Sequence, residues 1–291
     1  MGAHVLRGVV ATFGLAVSAC SGSTSTYTSD SERGSTHALV TIERREVLGA
    51  TAVADARAFA SFVKTPPEVD VTMVTRLAGL DLTLPEPGEC ALGGTHRDVG
   101  SMSSPLRRVE LLAAGDVALE TPEGRVELAP RPFPAVTDLF AGVVYTTRDR
   151  AASLPAGEVY ALSASLGPLS VSSEAPAALS TITLAGQPLN SGIILPTAGA
   201  ELTWKAGNPR DVVYVTLGSA DGTPLAVCSF RDDAGRGMLP SSIVPDVSPI
   251  NVALHRLRTV ALPASSGVGG IDAGELRFDF EFSASVSVQA R

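Results

Sequence analysis

The most regular pattern in the chain lies near its C-terminus. There Leu276, Phe278, Phe280, Phe282, Ala284, Val286 and Val288 alternate with Glu275, Arg277, Asp279, Glu281, Ser283, Ser285 and Ser287. Alternation with period 2 puts one set on each face of a strand, so the phenylalanines are predicted to enter a core. Asp279 and Glu281 then face solvent or the polar face of a neighbouring strand. Weaker strand patterns occupy 38–44, 71–75, 80–84, 109–113, 117–120, 125–128, 142–147, 158–165, 181–184, 192–195, 201–205, 212–217, 224–230 and 252–262. Turn-forming pairs separate them, among them Glu123-Gly124, Ala156-Gly157, Asn208-Pro209 and Asp221-Gly222. The last of these lies between two strand patterns and is the strongest hairpin signal in the chain. A helix has one alanine-rich candidate, 49–63, but its apolar residues make no clear stripe and strand is slightly favoured.

The predicted fold is therefore all-β: two β-sandwich domains, 36–175 and 176–291, with helix below about a tenth of residues against a usual third. The second sandwich reads as immunoglobulin-like. It carries Trp204 early and Cys228 later, although no partner cysteine lies within that domain.

The first residues follow a different pattern. Arg7 precedes an apolar run from Gly8 to Ala19, the order of a secretory signal peptide over 1–19. At 1.5 Å per residue that run reaches about 18 Å, short of the roughly 30 Å hydrocarbon layer. Residues 20–35 are almost free of apolar side chains and are predicted to form a tether.

The four residues Val17-Ser18-Ala19-Cys20 resemble the lipobox of bacterial lipoproteins. The resemblance implies cleavage before Cys20, a diacylglyceryl thioether on its sulfur and anchoring in a membrane. Ser21, where inner-membrane retention typically calls for Asp, implies an outer-membrane destination. The layout as a whole is similar to that of β-rich envelope lipoproteins of Gram-negative bacteria, a likeness that implies no activity.

Composition narrows the partners. The chain has 291 residues with 22 basic and 30 acidic side chains, so a nucleic acid is not an expected partner. Once the leader is removed, the histidines are His37, His96 and His255, none at metal-ligand spacing from another. Each is read as an isolated surface or strand residue. Gly-x-Ser-x-Gly does not occur, and Arg231-Asp232-Asp233-Ala234-Gly235 reads as a solvated turn ahead of a Ca²⁺ loop. The sequence thus nominates no catalytic, cofactor-binding or metal-ligating residue.

Cys90 and Cys228 form an even pair that permits one disulfide across the two halves. Their unlike surroundings favour instead a buried, unpaired Cys228. Of the aromatic side chains, Trp204, Tyr145, Tyr160 and Tyr214 merit inspection as sugar-stacking platforms, with core packing the default.

The leading functional expectation is a non-catalytic envelope lipoprotein whose β domains bind or position another envelope protein or glycan. The alternatives are a lipid-anchored hydrolase whose site assembles only in three dimensions, and a structural spacer.

Overall fold

A computed structural model describes residues 34–47, 55–66, 82–95, 109–133, 142–147, 153–166, 169–189, 193–265 and 270–289. The lipobox, residues 20–33 of the tether, His96 and the pattern at 71–75 lie outside the described residues; Ser35, at the end of the expected tether, already belongs to a strand. The described chain is nearly all β, its only helical pieces among the described residues being two 3-10 turns (Asp232–Ala234 and Ser241–Ile243), with strands β1 (Ser35–Val47), β2 (Asp55–Thr65), β3 (Cys90–Leu92), β4 (Glu110–Leu111), β5 (Val117–Thr121) and β6 (Gly124–Phe133). Then come β7 (Gly142–Thr147), β8 (Val159–Ala164), β9 (Leu169–Glu174), β10 (Thr183–Leu184), β11 (Gln187–Pro188) and β12 (Ile194–Leu195). The remainder are β13 (Gly199–Thr203), β14 (Val212–Ser219), β15 (Pro224–Arg231), β16 (Arg236–Pro240), β17 (Ile250–Leu262) and β18 (Ala273–Val288). Residues 82–84, expected to be strand, are irregular, whereas the ambiguous 49–63 region contributes β2. Among the described residues no helix is long and apolar enough to cross a membrane.

One large sheet runs β3-β15-β14-β17-β18-β1-β2-β4-β7-β6-β5-β8-β9, and a small one runs β11-β10-β13-β16. The hairpin at Asp221-Gly222 joins β14 to β15, with a register shift at Leu217/Gly218. At the centre of the large sheet, β17 and β18 pair antiparallel from Ile250↔Val286 to Leu262↔Gly274. On its other side β18 pairs parallel with β1, from His37↔Ala273 to Val47↔Ser283.

These two long strands serve two cores. On β18, Leu276, Phe278 and Phe280 belong to a core that includes Val40, Ile42, Phe62, Leu119 and Tyr160. Farther along, Ala284 and Val286 belong to a second core with Leu184, Leu202, Trp204, Val215 and Leu254. The ring of Tyr160 lies 5.3 Å from that of Phe278, so the large sheet curls until β8 meets β18 face to face. On β17, Ile250, Val252 and Leu254 serve the second core and Leu262 the first.

Between these two apolar stretches, β17 places Arg256 and Arg258 at inward positions. Burying a guanidinium requires that its charge be paired and its donors matched; both arginines are paired, although Arg256 Nε is left without a hydrogen-bond partner. Arg258 makes a bidentate pair with Asp211 at 2.7 and 2.8 Å and donates to the Glu174 carbonyl. Arg256 donates to Asp232 Oδ1 at 2.8 Å and to the carbonyls of Ala177, Ala178 and Lys205. The connector between the cores, 174–178, is thus fastened to β17 through its backbone. Asp232 is fully buried and also accepts the Trp204 indole N–H at 3.0 Å. The expected solvated turn is therefore split: Asp233 pairs with exposed Arg231, while Asp232 turns inward. Burial pushes the Asp232 carboxyl above its ordinary range, against the pull of Arg256. Gly207 lies against this carboxylate, where a Cβ would overlap Asp232 Oδ2.

Cys90 and Cys228 stand opposite each other on β3 and β15 and are joined as a disulfide. The bridge ties neighbouring strands of one sheet, unlike the bridge between facing sheets of an immunoglobulin domain. Residues 82–95 approach it as a strap over the other face of the large sheet. Leu82 and Leu84 pack there against Tyr214, Val227 and Leu257. Backbone bonds hold the strap, from Gly88 to Ser229, from Ser229 to Glu89 and from Gly93 to Leu225.

Candidate functional site

The face of the sheet opposite the cores carries the polar half of the period-2 pattern. Register alone assembles it. One row across five strands reads Asp55 (β2), Arg45 (β1), Glu281 (β18), His255 (β17) and Tyr214 (β14). The adjacent row reads Arg57, Glu43, Asp279 and Leu257. Directly opposed side chains in a sheet are close enough to interact. The first row alternates acid and base from Asp55 to His255, whereas in the second Glu43 stands opposite Asp279, two carboxylates side by side. Arg57 bonds Glu43, and Arg45 lies 3.0 Å from Glu281.

Asp279 is the centre of this lattice. It accepts the Tyr214 hydroxyl at 2.6 Å through Oδ2 and meets His255 Nδ1 at 2.9 Å through Oδ1. The imidazole stacks on the Tyr214 ring, with centroids 4.2 Å apart and planes 10° from parallel. Side-chain exposure is 14% for His255 and 19% for Asp279, so the pair is largely shielded from water. Burial pushes the imidazole pKa down, but the Asp279 carboxylate more than offsets this and the net shift is upward. For Asp279, burial acts upward and the pull of His255 and Tyr214 prevails, leaving the carboxyl below its ordinary range. Desolvation, reinforced by Asp279, raises the Tyr214 phenol well above its usual value.

These residues form the floor of an open groove of about 440 Å³. Its walls carry three guanidiniums (Arg45, Arg57, Arg277) and four carboxylates (Glu43, Asp55, Asp279, Glu281), whereas the Arg44 guanidinium reaches the other face of the sheet and donates to the Leu154 carbonyl. The strap supplies Leu82 and Thr95. Glu275 holds the remaining guanidinium, 2.7 Å from Arg277. Asp55 Oδ1 differs from the rest, being buried without a hydrogen-bond partner.

Several expectations change in this light. His255 is not an isolated strand residue, and Asp279 faces a neighbouring strand's polar groups at a largely shielded position. Trp204, Tyr145, Tyr160 and Tyr214 are all buried, so none forms an exposed stacking platform. Among the described residues no three His, Cys, Asp or Glu side chains are grouped to hold a metal. The sequence signal for the groove was the wet face of β18. Its partners could not be read because the parallel β1–β18 pairing joins residues more than 230 positions apart.

Compared with known protein families and with curated proteins, the chain matches none.

Proposed function

We propose that the protein is a non-catalytic envelope lipoprotein, anchored in the outer membrane through Cys20, that binds another envelope component in this groove. The observation that carries the reading is the charge lattice. Ion pairs, across strands for Arg45–Glu281 and Arg57–Glu43 and along one strand for Arg277–Glu275, hold these guanidiniums and carboxylates in place, so a polar ligand meets a surface that loses little freedom on binding. The groove also stands on the central strands of the largest sheet, where side chains are positioned by rigid backbone. In the same reading the body is two sandwiches, 36–175 and 176–291, the second immunoglobulin-like, with β17 and β18 shared between them. The four-stranded sheet supports this through Leu184 and Leu202, which join residues of the large sheet in the second core.

A hydrolase reading has one observation in its favour. His255 held by Asp279 resembles the oriented imidazole of an acid–base site. Among the described residues that line the groove, however, there is no serine or cysteine to serve as its nucleophile.

A photo-crosslinking residue at Leu82, on the groove wall, tests the binding reading in native envelopes, with the exposed Val159 as the control position. A discrete adduct is expected from Leu82, absent from Val159 and lost with Arg45→Glu. Identical patterns from both positions overturn the proposal. The anchor is tested separately: Cys20→Ala is expected to accumulate as an unprocessed precursor, and acyl chains to appear by mass spectrometry at the wild-type N-terminus.

A further inference from the structure

We propose that the groove takes a neutral, hydroxyl-rich ligand, a small saccharide unit. The inference rests on the groove being the binding site and names the ligand class. Three observations point to it.

The first is charge. Arg45, Arg57 and Arg277 each already have a carboxylate at salt-bridge distance. An anionic ligand reaching their spare donors would lie against Glu281, Glu43 or Glu275, and a cationic ligand reaching the acids would lie against an arginine or His255. Repulsion from the paired charge offsets much of either attraction, so a net charge on the ligand gains little.

The second is hydrogen-bonding capacity. A carboxylate accepts about four hydrogen bonds and a guanidinium donates five, so each pair keeps unused acceptors and donors after bonding its partner. A hydroxyl both donates and accepts. Ranged along the row Asp55, Arg45, Glu281 and His255, sugar hydroxyls can bridge acid and base without breaking a pair. Asp55 stands at the end of that row, opposite Arg45, and lines the groove.

The third is the scarcity of apolar wall. Leu82 is the sole aliphatic side chain among the described residues that line the groove, and the Tyr214 ring is covered by His255. An apolar ligand would desolvate these charges without replacing their water. At about 440 Å³ the groove lies at the smaller end of ligand sites, which run from about 300 to 1,000 Å³. Recognition here uses hydrogen bonds rather than aromatic stacking, so modest affinity per unit is expected.

The test is a titration of the full-length mature protein, followed by backbone and imidazole NMR shifts. The neutral probes are maltose, cellobiose and chitobiose; the charged counterparts are deacetylated chitobiose and a glucuronate-containing disaccharide. At least one neutral disaccharide is expected to shift β1, β18 and His255 resonances, with little dependence on salt. The charged sugars are expected to bind at least tenfold more weakly. Asp55→Asn is expected to weaken the neutral sugar about tenfold with the thermal midpoint unchanged. Retention on amylose, cellulose or chitin compared with the free disaccharide distinguishes a polymeric source from a soluble one. Tighter binding of either charged sugar, or no response to any neutral sugar or polymer, overturns the proposal. If that happens while Arg45→Glu still abolishes the Leu82 crosslink, the ligand class is wrong and the groove reading stands; if the crosslink persists as well, both fall.

Discussion

Asp279 shows what a single residue's environment adds to its place in a pattern. By alternation it is a wet-face carboxylate, and wet-face substitutions usually cost within about 0.5 kcal/mol. In the folded protein it is shared by Tyr214 and His255. Asp279→Ser is therefore expected to destabilise by about 1–3 kcal/mol, since it leaves a buried donor unsatisfied. The His255–Asp279 pair also has a defined pH signature. The imidazole's folded pKa is raised above the ordinary 6.5, so its contribution is complete below 6.5 and is lost as pH rises through the folded value. The carboxyl is lowered below 3.8, so its contribution is complete above 3.8 and is lost as pH falls through the folded value. Urea midpoints are thus expected to be highest, as far as this pair governs them, between about 4 and 6.5 and to fall toward pH 9. His255→Gln should flatten the alkaline limb; an unchanged limb would refute the assignment. The sequence marked Asp279 as polar-facing, but the shielding comes from the strap and from strands on both sides of β18, which no local pattern encodes.

At the scale of the element, β18 keeps its period over Leu276–Phe280 and again over Ala284–Ser287, but between them Phe282 is only half-buried, against the second core, and Ser283, expected on the wet face, is buried. Phe278 and Phe280 are buried in the first core, and Ser285 and Ser287 are exposed. Phe280→Ala is expected to cost about 3–5 kcal/mol, the usual range for emptying a packed aromatic site. Ser285→Ala on the opposite face should stay within about 0.5 kcal/mol. Chemical denaturation of the two variants decides it, and equal costs would mean the strand is set in another register. Strands with full alternation or clear turns were legible: β7 has the bounds expected of it, and β14, β15 and β17 differ by a residue or two. β3, β9, β11 and β16 were not. Two of these have three residues or fewer, too short to show a period, and Arg236–Pro240 carries a glycine and a proline where alternation would be read.

For the whole molecule, the junction between the cores matters more than either core alone. Arg256 and Arg258 bind the connector's carbonyls, and the same strands cross from one core to the other. A single cooperative unfolding transition is therefore expected in calorimetry, and two resolved transitions would contradict it. Arg258→Ala should cost about 3–5 kcal/mol, because it strands Asp211 as a buried, unpaired charge. Two cores were readable as two stretches of strand-like sequence; their fusion was not, because it depends on which strands pair at long range. That pairing also sets an order in time. β1 lies against β18, so the first core lacks one of its walls until the last strand is in place. A chain made N-terminus first keeps Val40, Ile42 and Phe62 waiting, uncovered, through the addition of more than two hundred further residues. Contacts of such separation fold slowly, and apolar strands left open meanwhile invite misassociation. The first described strand is thus among the last to be finished, and it stays open to wrong partners until Leu276, Phe278 and Phe280 arrive.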